Sequence, residues 1–269
     1  MIKVGIIGCG TIGTELALAC QKRFAEEVTL AALADQDHAR ARKLQQHLRP
    51  KPVVLPTDKL ISHCDLIIEA ASTETAYDVA KKALSQGKDI MIMSAGGLLG
   101  KEKEIMRLSR THRCCLYLPS GGVVGIDGLK AAHIGKIHRV TLTTRKPPQG
   151  FEGSPYVIKH NIDLKNLKQE KVLFEGDATA AVKGFPKNIN VSATISLAGI
   201  GAKRTKVRII ATPLMLVNVH EIYVVGDAGS FYTRTENFPS EQNPKTSRLA
   251  ILSAVATLER ILKNVKIGT

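Results

Sequence analysis

Residues 2–23 read IKVGIIGCGTIGTELALACQKR, and this stretch decides the fold. An apolar run from Val4 to Ile7 predicts a buried strand, and Leu16, Leu18, Ala19 and Cys20 continue as a helical pattern. Between them lie Gly8, Gly10 and Gly13, spaced G-x-G-x-x-G. In a strand–turn–helix, the first glycine permits the tight turn and the second lets the backbone approach a pyrophosphate. The third lets the helix pack close to the strand. The helix N-terminus then offers unpaired N–H groups to phosphate. Gly8, Gly10, Thr11, Ile12 and Gly13 are therefore candidate cofactor contacts.

The context strengthens a motif that is weak alone. A second strand, VTLAALAD, ends at Asp35, within the distance expected for the acid that binds an adenosine ribose. A carboxylate there favours NAD over a nucleotide with a 2′-phosphate. Arg40 and Arg42 lie just downstream and keep NADP open. The alternation then continues. Helices are expected over HARARKLQQHL, ETAYDVAKKALSQG and KEKEIMRLSRTH, and strands over PVVL, DLIIEAAS, DIMIMS and CCLYLPS. This rhythm predicts an α/β Rossmann-type, doubly wound parallel sheet, with ligands at the carboxyl edge of its strands. The loops there carry Ala71-Ser72, Ser94-Ala95-Gly96-Gly97 and Ser120-Gly121-Gly122. Their small residues read either as ordinary turns or as room for a flat nicotinamide ring.

The rhythm changes after a helix over 125–134. IHRVTLTTRKP, KVLFEGD, KVRIIATP, LVNVHEIYVVGDAG and SFYTRTENFP read as strands, the last three as successive antiparallel ones. Helices are expected over ATAAVKG and NINVSATISLAG. This is an α+β second domain with a mostly antiparallel sheet. Pro244, with Thr246 or Ser247 as cap, precedes a last helix whose Leu249, Leu252, Val255, Leu258 and Ile261 are expected to form its apolar stripe. The domain boundaries expected are 1–120 for dinucleotide binding, 121–243 for substrate and dimerisation, and 244–269 packing back on the first domain. One face of the second sheet is expected to cover the nicotinamide, and the other to be apolar enough to form a homodimer.

Composition removes several classes. The chain has 269 residues, 44% hydrophobic and 23% charged, which fits folded domains rather than disorder. Its formal charge is +14, from 38 Lys+Arg against 24 Asp+Glu, but the charges are scattered and no helix-turn-helix or zinc-finger pattern is present. No nucleic-acid partner is expected. An anionic small-molecule cofactor and substrate suit the charge instead. No apolar run is long enough to span a bilayer, and the chain opens on a strand rather than a signal segment. The five cysteines, Cys9, Cys20, Cys64, Cys114 and Cys115, form no CxxC or Cys/His ligand spacing. Reduced thiols, a cytoplasmic location and no metal site are expected. Cys114-Cys115 lies in an apolar strand and reads as core.

Within LVNVHEIYV (216–224), alternation places Asn218, His220, Ile222 and Val224 on one face. A histidine inside an apolar strand reads either as a hydrogen-bonded structural group or as a proton-transfer group near neutral pH. Asn218, on the same face, is placed to orient its ring. TTRKPP offers Arg145, which pairs bidentately with carboxylates, and Lys146, a point charge; the alternative is a solvated basic strand end. Lys187 and Asn188 precede a helix, as an anion and amide site or as a turn and N-cap.

With these motifs assembled, the chain resembles the L-aspartate dehydrogenases nearly end to end. The resemblance rests on GIIGCGTIG, DLIIEAAS, LPSGGVVGIDGLKAA, VTLTTRKPP, FPKNINVSATISLAG and NVHEI. It implies reversible oxidation of L-aspartate to iminoaspartate with NAD(P). The imine then hydrolyses to oxaloacetate and ammonia or supplies quinolinate for NAD biosynthesis. It also implies NAD contacts at Gly122 and Asn188 and a catalytic role for His220. One departure is visible: the family usually reads Ser-Gly-Ala where this chain has Ser120-Gly121-Gly122. The added glycine should loosen that loop and puts in doubt the contact made there by the Gly122 backbone. Two other readings remain at this stage. One is a related two-domain reductase, dihydrodipicolinate-reductase-like or homoserine-dehydrogenase-like. The other is an NAD(H)-sensing protein without turnover.

Overall fold

The computed structural model describes residues 1–186, 190–241, 243 and 246–268. The expected positions Lys187, Asn188 and Pro244 lie outside the described residues. The chain divides into two compact units, Met1–Pro119 with Ile251–Val265, and Ser120–Ala250 with Lys266–Thr269.

The first unit runs β1 (Ile2–Ile7), α1 (Thr11–Lys22), β2 (Val28–Ala34), α2 (His38–Gln46), β3 (Val53–Val54), α3 (Thr57–His63), β4 (Leu66–Glu69), α4 (Thr73–Ser85), β5 (Asp89–Ile92), α5 (Glu102–His112) and β6 (Leu116–Tyr117). Among the described residues its strands form one parallel sheet in the order β3-β2-β1-β4-β5-β6. The order reverses at β1, the strand that feeds the glycine turn, and such a reversal opens a crevice at the carboxyl ends of the strands. Val4, Ile6, Leu16, Phe24, Leu33 and Ile68 belong to one buried cluster. Cys114 is buried but Cys115 is exposed, and both precede β6, so the expected all-core cysteine pair is only half core.

The second unit holds α6 (Ile126–Ile134), β7 (Ile137–Lys146), α7 (Pro155–Lys159), β8 (Lys171–Asp177), α8 (Ala178–Gly184), α9 (Asn190–Ala198), β9 (Thr205–Ala211), β10 (Asn218–Gly226) and β11 (Gly229–Asn237). Its sheet order is β11-β10-β7-β9-β8. The expectation of three successive antiparallel strands holds for β10 and β11 and is corrected for β9. β9 lies parallel to β7, and β10 pairs antiparallel with β7 and β11. The intervening β8, α8 and α9 give the chain the long crossover that a parallel pair requires. The link from β9 to β10 passes the end of β7, where Thr212 N donates to Lys146 O at 2.9 Å.

The terminal helix α10 (Arg248–Leu262) is capped by Ser247, whose Oγ accepts from Ala250 N at 3.2 Å. It buries Ile251, Ala254 and Leu258, while Leu252 is 54% exposed. Of the expected stripe, Leu258 is buried and Val255 and Ile261 pack partly buried against the first unit's buried cluster, so the member corrected is Leu252. Residues spaced strictly by three walk around a helix of 3.6 residues per turn, whereas 251, 254 and 258 stay on one side. Ala254 and Leu258 join the same buried cluster as Leu16 and Phe24.

Candidate functional site

The glycine turn of the first unit is built as a cradle. Gly8 has φ +99°, open to glycine and strained for other residues. A Cβ on Gly13 would lie 1.8 Å from Gly8 O, so only hydrogen fits where α1 crosses the turn. A Cβ on Gly10 would meet nothing within 4 Å, so this backbone faces open space. Gly10 is also the N-cap of α1 and makes no side-chain cap bond, and Thr11 and Ile12 begin the helix. The arrangement leaves a concave backbone surface at a helix N-terminus, the shape and polarity a pyrophosphate requires. Asp35 stands just past β2. Its Oδ2 accepts from Cys9 N at 2.7 Å and its Oδ1 from Asp37 N at 2.8 Å, while Arg40 Nη1 stands 3.9 Å from Oδ2. The acid thus ties the glycine turn to β2. Burial, with the Asp35 charge adding to it, pushes the Cys9 thiol up to about 12, so it stays protonated.

Sequence reasoning passed over Glu69. DLIIEAAS reads as a buried apolar strand, and Glu69 is its last strand residue, fully buried. Its carboxyl accepts from Ala71 N at 2.9 Å, Ser94 N at 3.0 Å and Ser94 Oγ at 2.9 Å. It fastens together the loops that carry Ala71-Ser72 and Ser94. Burial raises its pKa, and the N–H groups around it pull in the opposite direction. A charged residue at the end of an otherwise apolar strand was the available signal. Gly97 is small for a different reason than room for a ring: its Cβ would lie 2.2 Å from Thr73 O.

In the second unit the pleat sorts one sheet face into two zones. Val140, Leu142, Ile222 and Val224 form an apolar zone with Leu129 and Ile195. Two residues further along each strand the same face turns polar. Thr144, His220 and Thr235 lie in one row across β7, β10 and β11, and Asn218 pairs with Asn237 in the next. His220 is 6% exposed, and Thr144 Oγ1 lies 3.0 Å from its Nδ1. The partner that holds the ring is therefore Thr144 and not Asn218. Burial first, and the Lys146 charge second, push the His220 pKa down to about 3. Lys146 is only partly exposed, and desolvation pulls it down to about 8, so it is charged at neutral pH.

Arg145 and Lys146 are not brought together. Consecutive strand residues point to opposite faces, and Arg145 falls on the outer one. There its guanidinium pairs with Glu221 and with Glu170, at 3.4 Å for the latter. Glu221 also accepts from Tyr232 Oη and Arg234 Nη1, each at 2.7 Å. The expected two-residue carboxylate clamp is reduced to Lys146, and the outer face, expected to be apolar, is polar and charged here.

Gly122 completes the polar zone. Its carbonyl accepts from Thr235 Oγ1 at 3.0 Å and Asn237 Nδ2 at 2.8 Å. A Cβ on it would lie 3.1 Å from Ser247 Oγ, 3.3 Å from Asn237 Nδ2 and 3.6 Å from His220 Cδ2. Two hydrogen bonds pin the loop that the glycine was expected to loosen. Both lone pairs of the carbonyl are used, so a backbone contact to a ligand falls to the N–H. Among the described residues no group of three or more His, Cys, Asp or Glu is placed to hold a metal, and no helix is long and apolar enough to cross a membrane.

The model of the aspartate dehydrogenase C-terminal domain matches residues 127–261, and that of the homoserine dehydrogenase NAD-binding domain matches residues 8–119. The L-aspartate dehydrogenases of Methanosarcina mazei and Methanosarcina acetivorans are 49% and 50% identical, each aligned over all of both chains. The crystal structure of an aspartate dehydrogenase from Thermotoga maritima superposes with a TM-score of 0.75 at 25% identity, covering all of both chains.

Proposed function

The chain belongs to the L-aspartate dehydrogenase family, and from that premise we propose that it oxidises L-aspartate reversibly to iminoaspartate, with NAD preferred to NADP. The imine hydrolyses to oxaloacetate and ammonia or is passed to quinolinate synthesis. The reading rests on one observation above the rest: a buried histidine, held neutral, anchored by Thr144 and facing the same zone as a lysine.

The chemistry follows from what each residue offers. Hydride loss from Cα requires a neutral amine, because an ammonium has no lone pair to push. His220 is neutral across the physiological range and so offers an unprotonated ring nitrogen. The burial and the Lys146 charge that keep it neutral also weaken it as a base, and a substrate carboxylate paired with Lys146 would offset that charge and raise its proton affinity. Thr144 fixes Nδ1 and leaves Nε2 for the substrate. Lys146 supplies the positive charge for a substrate carboxylate. The same histidine serves as base for the water that opens the imine. In the first unit Gly8, Gly10, Thr11, Ile12 and Gly13 would hold the pyrophosphate, Asp35 the adenosine ribose, and Ala71 and Ser72 the adjoining part of the nucleotide. When bound, the nucleotide supplies the hydride acceptor. The family resemblance assigns nucleotide contacts to Gly122 and Asn188, and Lys187 and Asn218 are proposed with them as substrate-binding residues.

The free thiols of all five cysteines suit a reducing cytoplasm. A homodimer is proposed with them, to be read from the mass in solution. The decisive experiment is His220→Ala. The turnover number for L-aspartate is expected to fall roughly 10²- to 10⁴-fold, while NADH binding, followed by fluorescence, persists. Near-normal turnover refutes the assignment.

A further inference from the structure

Asn237 is 2% exposed, and its Oδ1 has no hydrogen-bond partner among the described residues. Its other amide atom is fixed: Nδ2 donates to Gly122 O at 2.8 Å and lies 3.4 Å from Thr235 Oγ1. The amide therefore cannot turn over without giving up the bond to Gly122, and Oδ1 is held as an acceptor. A buried acceptor left without a donor is costly and uncommon in a folded protein. Cross-strand pairing puts Asn237 on the face that carries His220. The two side chains flank Gly122, whose Cβ position would be 3.3 Å from the Asn237 amide and 3.6 Å from the His220 ring. Asn237 stands in the row next to that of His220 on this face, so its amide lies one pleat repeat from the ring.

We propose that Asn237 is the specificity residue that separates the imine from the ketone: its Oδ1 accepts an N–H from the substrate's α-nitrogen and opposes a carbonyl oxygen in the same place. This rests on reading the second unit as the aspartate-binding part. An amine or an iminium has N–H donors to offer, whereas the ketone oxygen of oxaloacetate has only lone pairs, which face those of Oδ1. Proton balance works in the same direction. Hydride added to C=NH2⁺ gives a neutral amine and needs no further proton. Hydride added to C=O gives an alkoxide that must take a proton at once, and the neutral His220 is a weak acid for that task.

The test supplies the purified protein with oxaloacetate and NADH, with and without ammonium, and measures aspartate and malate separately. The wild type is expected to make aspartate and little malate. Asn237→Leu, close in shape but without the acceptor, should lower aspartate formation roughly tenfold to hundredfold while malate formation stays level or rises. Asn237→Ser keeps a donor for Gly122 O but withdraws Oδ1. It should shift the product ratio in the same direction, and it is the variant to read if the leucine protein does not fold. A merely structural asparagine would lower both products together, and that result overturns the proposal. A wild type that reduces the ketone as fast as the imine overturns it too. A wild type that forms no aspartate and oxidises none refutes the parent reading and this one with it, whereas an active wild type with unchanged variant ratios refutes this one alone.

Discussion

Thr144 Oγ1 stands 3.0 Å from His220 Nδ1, across the β7–β10 pair, with both residues buried. The two are direct cross-strand neighbours, so the hydrogen bond is set by sheet register rather than by a loop. This fixes the ring plane and reserves Nε2 for chemistry. Thr144→Val keeps the shape and removes the hydroxyl. One buried neutral hydrogen bond contributes about 0.5–1.5 kcal/mol, so the turnover number should fall roughly threefold to tenfold, with NADH binding unchanged and Thr144→Ser restoring activity. Equal turnover in the valine and serine proteins would mean that the ring is held by packing alone.

Lys146 gives a pH dependence of defined sign. Burial pulls its pKa from 10.5 down to about 8. Between those values the unfolded chain binds more protons than the folded one, so this group's contribution to stability rises with pH across that window. Affinity for a carboxylate moves the opposite way, because the charge is lost above about 8. Succinate carries two carboxylates and no amine, so its inhibition reads this charge without substrate ionisation. Its inhibition constant should be flat below pH 8 and rise up to roughly tenfold per unit above it. Lys146→Met should remove the pH dependence. An inhibition constant that stays flat to pH 10 would show that another group receives the carboxylate.

Much of this arrangement was legible in the sequence because it depends on local geometry. The strand–glycine turn–helix at residues 2–23 and the alternation around His220 follow from spacing alone. What escaped was set by pairing between distant segments. The Thr144–His220 bond depends on β10 pairing with β7, 76 positions apart in sequence. Alternation put Arg145 and Lys146 on opposite faces from the outset, but adjacency in sequence suggested a joint clamp. Only the sheet shows Arg145 committed to Glu170 and Glu221. Glu69 was hidden because an apolar run masks one charged residue, and its donors come from 2 and 25 positions away.

Asp35 sets the expected cofactor preference. Its carboxylate anchors Cys9 N, with Arg40 3.9 Å off, and in the proposed role it would repel a 2′-phosphate. Two like charges at about 4 Å repel by about 1–4 kcal/mol near a protein surface. Asp35→Ser removes that repulsion and leaves the arginine. The ratio of kcat/KM for NADP over NAD should rise roughly fivefold or more. A wild type that already prefers NADP would overturn the role given to Asp35.

Glu69 tests whether a residue without access to solvent governs nucleotide binding. Glu69→Leu would leave the N–H groups of Ala71 and Ser94 without their acceptor. Each orphaned buried donor costs about 1–3 kcal/mol, and at about 2–4 °C per kcal/mol the melting temperature should drop by at least roughly 5 °C. Glu69→Gln keeps one acceptor oxygen and should lose less. The loops released are the ones next to the proposed nucleotide contacts Ala71 and Ser72, so the dissociation constant for NADH should rise in both variants in the same order as the loss of stability. If the leucine protein melts lower but binds NADH as tightly as the wild type, the carboxyl is a structural tie only, and the nucleotide is positioned by the glycine turn and Asp35 without help from the β4 loop.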